Sequence, residues 1–284
     1  MTCATPQDAF FDHNGLRLHY VDWGKTKSPP MMLLHGLRDS ARSFDEFSLA
    51  IGREHHVVAL DSRGHGDSGW AGSGAYRFED FVGDVKATVD LLSGSHGHDL
   101  VLVGHSAGGR YAWAYAAEHP DTVRALVVVD IDPDPVNPQT ERDFEAYRSE
   151  PAVWDSLDPV VEKLRGRPMF ATEEMLQRQA AVITRQHPGG GRVWRSDPLV
   201  MDEYERPDVW ESWGRLRCPT LIVRGRQSTL LTHETAVKMR ESLPKRQVRL
   251  AELEDAAHWL YQDVPAAFEA TVRWFLAGLD PADG

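Results

Sequence analysis

The sequence predicts an α/β protein: a doubly wound, mostly parallel sheet carrying a helical insertion over the carboxyl ends of its strands. Three observations lead there. Short β-rich runs alternate with helical patterns over most of the 284 residues, the order expected when helices connect parallel strands. Several of those runs are apolar without a break, as strands covered on both faces should be. The alternation then stops between about 133 and 217, where no clear strand is visible and Trp, Met and Tyr residues collect.

Taken in order, 16–21 alternates apolar and polar and reads as an edge strand. Residues 31–34, 56–60, 100–103, 125–129, 220–223 and 247–250 read as further strands, and 78–92, 107–118, 234–242 and 266–276 as helices. The insertion offers helical stretches near 139–148, 159–164 and 173–185. A structureless loop of that length is improbable in a compact protein. The expected division is therefore a core of 1–132 and 218–284 with a helical cap of 133–217. Most of the cap's aromatics should form its own core, and Trp154, Met169 and Phe170 are the candidates to line a substrate pocket.

The balance of 31 Lys and Arg against 43 Asp and Glu gives a net charge of −12, which disfavours a polyanionic partner such as nucleic acid. No apolar run is long enough to span a bilayer, and the first residues carry neither the basic nor the apolar segment of a signal peptide. Cys3 and Cys218 are far apart and near no Cys/His cluster, so neither a disulfide framework nor a zinc site is expected. The expectation is a cytoplasmic monomer or homodimer acting on a small molecule, without cofactor, metal, nucleic acid or membrane.

Chemistry concentrates at four places. Gly104-His105-Ser106-Ala107-Gly108 lies between the strand 100–103 and the helix 107–118. A nucleophile on a sharp strand-to-helix turn needs small neighbours, because the backbone is strained and crowded. His35-Gly36-Leu37 follows the strand 31–34. The amides of Leu37 and Ala107 are placed to hold a developing oxyanion, each worth about 3 kcal/mol when removed. His35, Gly36 and His105 are candidate substrate contacts. Asp61-Ser62-Arg63-Gly64-His65 follows the strand 56–60, and its Asp61 and Arg63 read as loop-holding residues. His258 lies between the last strand and the last helix, where the chain returns to the nucleophile, and is the candidate base. His19 reads as a surface residue.

These features, in this order, resemble the α/β-hydrolase superfamily over about residues 10 to 278. The resemblance implies an eight-stranded sheet, Ser106 as nucleophile and His258 as base. Serine at this position argues against haloalkane dehalogenases and epoxide hydrolases, which place Asp there. Many members carry the triad acid after the strand that corresponds to 220–223, but here the stretch reads Gly225-Arg226-Gln227-Ser228. Asp130, ending the strand 125–129, is the alternative acid, with Asp132 as its fallback. The arrangement is similar to that of (E)-2-(acetamidomethylene)succinate hydrolase-like members, which also share an arginine four residues beyond the nucleophile, here Arg110. Their dicarboxylate substrates would call for cap arginines, with Arg142, Arg148, Arg165 and Arg167 as candidates. The implied activity is ester cleavage through an acyl-enzyme. Amide, lactone or C–C bond hydrolysis and perhydrolysis could use the same residues, and a non-catalytic ligand receptor is the rival of a different class.

Overall fold

The computed structural model describes residues 5–24, 27–96 (side chains to 92), 99–167 and 170–279. The strands are β1 (Gln7–His13), β2 (Leu16–Asp22), β3 (Pro30–Leu34), β4 (His56–Asp61), β5 (Leu100–His105), β6 (Val123–Val129), β7 (Thr184–Gln186), β8 (Arg192–Trp194), β9 (Thr220–Gly225) and β10 (Val248–Leu253). Eight form one sheet in the order β1-β2-β4-β3-β5-β6-β9-β10. The first two pairings, β1 with β2 and β2 with β4, are antiparallel, and all later ones are parallel.

The uninterrupted apolar runs divide between two cores at every second residue, which is the pleat period of a strand. Met32, Leu34, Leu102, Leu126, Val128 and Ile222 face one side. They pack there against α2 (Phe78–His96), α3 (Ala107–Glu118) and the later helices α8 (Trp210–Gly214) and α9 (His233–Glu241). Met31, Leu33, Val101, Val103, Val127, Val129 and Leu221 face the other, against α1 (Asp45–Ile51) and α11 (Pro265–Ala277). Burying each such side chain contributes about 1.5–3 kcal/mol, so this two-sided burial is the main force that holds the carboxyl ends of β3, β5, β6 and β9 side by side.

Two expectations fail together at the start of the chain. β2 is not an edge strand, because β1 pairs with its outer side through a turn at Asn14 and Gly15. Both turn residues have positive φ, 50° and 78°, the conformation a two-residue hairpin requires and Asn-Gly favours. His19 on β2 is accordingly buried, with Nδ1 2.6 Å from Asp61 Oδ2 and Nε2 3.1 Å from Asp8 Oδ1. Asp61 also accepts from the amides of Ala41 and Asp67, and Arg63 forms a two-pronged pair with Asp84. These are the loop-holding roles expected of them.

Between β6 and β9 lie α4 (Pro138–Arg148), α5 (Asp158–Arg165), α6 (Glu173–Ile183), α7 (Pro198–Glu203) and α8. The segment does contain strands: β7 and β8 form a short hairpin, and helix α6 ends at Ile183 instead of running to 185. Thr184 turns extended and its hydroxyl bonds back to the Ala180 carbonyl, a local bond that competes with helix continuation. Val160, Val161, Leu164, Leu176, Ala180, Ile183 and Trp194 make a separate small core. The last helix but one, α10 (Leu260–Asp263), follows β10 closely.

Gly225 ends β9 directly beneath the loop after β10. A Cβ there would lie 2.3 Å from the Ala256 carbonyl oxygen and 2.4 Å from that of Ala257. Gly225→Ala should therefore destabilise the fold by about 1–3 kcal/mol, the usual cost of overpacking. Urea unfolding checks this, and a change within experimental error would mean that the loop yields freely.

Candidate active site

Ser106 sits at the turn between β5 and α3 with φ 52° and ψ −128°. That backbone is strained for a residue with a side chain, at a cost of about 1–3 kcal/mol, and persists only where packing over-determines it. The packing is visible at the neighbouring glycines. A Cβ on Gly104 would lie 2.5 Å from Gly108 O and Gly109 Cα, one on Gly108 2.4 Å from Leu34 O, and one on Gly36 2.8 Å from Ser106 Cβ. The ends of β3 and β5 and the start of α3 thus close on one another through bare backbone. The Ser106 amide continues the ladder to Val129 O at 3.0 Å, and its carbonyl accepts from Gly109 N at 2.9 Å. As first residue of α3, Ala107 has no acceptor one turn back for its N–H.

Asp130 follows β6, also at positive φ (49°), and is fully buried. Its Oδ2 lies 2.8 Å from His258 Nδ1 and receives the Ser228 hydroxyl at 2.5 Å. Burial raises the Asp130 carboxyl above the usual carboxylate range and lowers the His258 imidazole below its ordinary value. In the 2.8 Å contact the carboxylate oxygen accepts, so the imidazole proton lies on Nδ1 and Nε2 is left as an acceptor. Asp132 is elsewhere: both its oxygens pair with Arg206 at 2.7 Å, and they also accept from Asp134 N and Asn137 Nδ2. Of the two acids weighed from the sequence, the structure brings only Asp130 to His258.

In the sequence Ser228 stands where many relatives carry an acid and ends an Arg-Gly-x-x-Ser stretch. In the structure it has a task, since its hydroxyl supports the carboxylate from the position where an acid would otherwise stand. The His258 loop is pinned besides by Ala257 N on Asp263 Oδ2 (2.8 Å), Gln227 N on Ala256 O (3.0 Å) and Ala256 N on Gln227 Oε1 (3.1 Å). His105 lies under it and donates from Nε2 to the His258 carbonyl at 2.9 Å, with ring centroids 4.5 Å apart. Burial holds the His105 pKa down at about 3, so this ring is a neutral prop.

A narrow cavity of ≈ 40 Å³ joins these groups: Ser106, His258, His105, Gly36, Leu37 and Ala107 all line it. Its far wall comes from α4, where Thr140, Asp143, Phe144 and Tyr147 fall at the one-face spacing of a helix, with Tyr204, Arg206 and Trp259 beside them. That spacing was present in the sequence and could have found the wall. Tyr147 also borders a wider cavity of ≈ 470 Å³ that includes Arg38, Trp70, Trp194 and Met201.

Other expected contacts lie away from Ser106. His35 is 1% exposed, with both ring nitrogens engaged by backbone. Arg110 is completely buried, and its guanidinium ties the carbonyls of Asp132, Asp134 and Pro207; it braces the loop after Asp130. Trp154 pairs by backbone with Arg192 and by ring with Trp194 at 5.8 Å, within the small core of the insertion. Phe170 is an exposed side chain whose amide bonds Asp263. Met169 lies outside the described residues. Among the candidate arginines, Arg142 bonds Gln139, Arg165 pairs with Glu173 at 2.7 Å, and Arg148 is an exposed residue on the wider cavity. Arg167 approaches the site, with its guanidinium 4.5 Å over the Trp259 ring.

The sheet order, the strained serine turn and the late histidine define an α/β enzyme scaffold with a built site at the carboxyl edge of its strands. Residues 29–264 match the family model described as alpha/beta hydrolase fold, and the chain belongs to that family. It is 26% identical over 225 residues to 2-(acetamidomethylene)succinate hydrolase of Mesorhizobium japonicum, covering 78% of this chain and 80% of the relative. It is 25% identical over 260 residues to an esterase of Escherichia coli (87% and 92%) and 27% identical over 288 residues to epoxide hydrolase 4 of Mus musculus (93% and 77%). Among solved structures, E-2-(acetamidomethylene)succinate hydrolase superposes with a TM-score of 0.85 at 22% identity, covering 96% of this chain and all of the other. Among the described residues, no helix is long and apolar enough to cross a membrane.

Asp130→Asn removes the carboxylate at His258 Nδ1 and should lower hydrolytic turnover by about 10⁴, since an amide favours the wrong imidazole tautomer. Asp132→Asn should instead cost stability, about 3–5 kcal/mol, by leaving the Arg206 charge poorly paired. Steady-state kinetics and urea melts on both variants separate the two. The assignment fails if Asp132→Asn carries the large kinetic loss.

Proposed function

We propose that this chain is a serine hydrolase that cleaves a small-molecule carboxylic ester through an acyl-enzyme. The observation that carries the reading is the 2.8 Å contact of His258 Nδ1 with the buried Asp130 carboxylate, on a histidine that shares its cavity with the strained Ser106. His258 Nε2 takes the Ser106 proton as Oγ attacks the carbonyl. The N–H groups of Leu37 and Ala107 receive the oxyanion. His258 then protonates the departing alkoxide, and the same imidazole activates the water that releases the acid. This sequence needs no metal or organic cofactor.

The segment 133–217 acts in this reading as a cap, with α4 closing the acyl side of the cavity. The small cavity favours short acyl groups. A second reading, cleavage of an amide or ester that carries a carboxylate, is favoured by Arg167 beside Trp259 and by the hydrolase relative named for such a substrate. A panel of acetate, butyrate and succinate half-esters with the matching amides decides between them. A non-catalytic receptor would show no burst of product with an activated aryl ester.

Ser106→Ala should reduce turnover by at least about 10⁴ and abolish labelling by a fluorophosphonate. Retention of more than a few per cent of activity would remove Ser106 from the nucleophile role. Tyr147→Ala should join the narrow cavity to the wider one and raise the preference for octanoyl over acetyl esters by about tenfold, the order of one or two methylenes in an apolar pocket. An unchanged chain-length ranking would mean that Tyr147 does not bound the acyl site.

A further inference from the structure

Two buried histidines bracket the turn that carries the Leu37 amide. His35 Nδ1 is 2.7 Å from Gly36 O and its Nε2 is 3.0 Å from Ser62 N. His65 Nδ1 is 2.9 Å from Arg63 O and its Nε2 is 3.1 Å from Arg38 N. A carbonyl oxygen only accepts and an amide N–H only donates. Each ring is therefore neutral, protonated at Nδ1 and bare at Nε2. Both are 1% exposed, and their centroids are 5.1 Å apart.

These bonds fall on the two peptide units that flank Leu37. A trans peptide is planar, so its C=O and N–H point in opposite directions. Drawing the Gly36 carbonyl to the His35 ring turns the Leu37 N–H the other way. The next peptide is fixed by the Arg38 N–H on His65, where the chain bends at φ 55°. We propose that His35 and His65 are a paired clamp of positioning residues that aims the Leu37 N–H at the oxyanion; this rests on the serine-hydrolase reading above. Neither ring lines the cavity, so the clamp acts through backbone alone. Burial, together with His35, holds the His65 pKa down at about 3 against the opposing pull of Asp61 and Asp39. The ring is thus uncharged at neutral pH, and its two backbone bonds fix the tautomer.

The two rings use opposite nitrogens to grip the turn, and that gives the test. Asn places an amide N–H₂ near the Nδ1 position and no acceptor near Nε2, while Gln places a carbonyl oxygen near Nε2 and loses the Nδ1 donor. His35→Asn and His65→Gln each keep the bond that faces Leu37, and His35→Gln and His65→Asn each lose it. With 4-nitrophenyl acetate, the second pair should lose about 10–100-fold in kcat with KM nearly unchanged, and the first pair no more than about threefold, since a misaimed oxyanion donor acts on the transition state alone. A merely structural role predicts the same order of Asn and Gln at both histidines, or losses that follow the melting temperature, and either result overturns the clamp. Where one variant does not fold, the kcat losses of the remaining variants compared with their melting temperatures decide. Ser106→Ala is measured alongside: if it still turns over the ester, the serine reading itself has failed, whereas an inactive Ser106→Ala with no crossed order refutes the clamp alone.

Discussion

The backbone contact around Ser106 is the constraint on which the site depends. A residue with a side chain is held at φ 52° because the ends of β3 and β5 and the start of α3 meet there with no Cβ between them at Gly36, Gly104 and Gly108. The strain costs about 1–3 kcal/mol, and the two apolar cores on either side of the sheet supply the rigidity that sustains it. A looser sheet would let Ser106 relax into the helix and turn its hydroxyl away from the cavity.

Around that point the polar groups stand one behind another. His258 keeps a small exposed surface, Asp130 has none, and Ser228 and Arg224 stand behind the carboxylate. Burying a carboxylate is expensive unless hydrogen bonds compensate it, and here the Ser228 hydroxyl and the His258 N–H do so. The same principle explains Arg110 and Arg206. Arg110 is fully buried and Arg206 partly buried at the cavity wall, and they are spent on carbonyls and on Asp132. They tie down the segment that follows Asp130, whose φ is 49°, and the Arg110 guanidinium is engaged there and does not line the cavity.

The inserted segment supplies one wall of the cavity. One helical face of α4 supplies Thr140, Asp143, Phe144 and Tyr147 to the cavity, while the segment's tryptophans at 154 and 194 pack on each other and on its own core. Large aromatics in such an insertion are first a solution to its own burial problem, because a five-helix segment with a two-strand hairpin has little core to share.

Much of this was legible in the sequence for a physical reason: local signals are stated by residues close together in the chain. The alternation of strands and helices, the small residues around Ser106 and the placement of His258 after the last strand all follow from short-range rules. Asp130 could be preferred over Asp132 from its place at the strand end. What the tertiary structure alone decided were relations between distant segments. Pairing with β1 made β2 an interior strand and buried His19; a bond between residues 98 positions apart gave Ser228 its role; and the choice of pocket residues fell to α4 instead of Trp154 and Phe170. Hydrogen-bond partners across such separations are set by how the sheet and helices pack, and no local pattern in the chain encodes which nitrogen of a buried histidine will meet which backbone group.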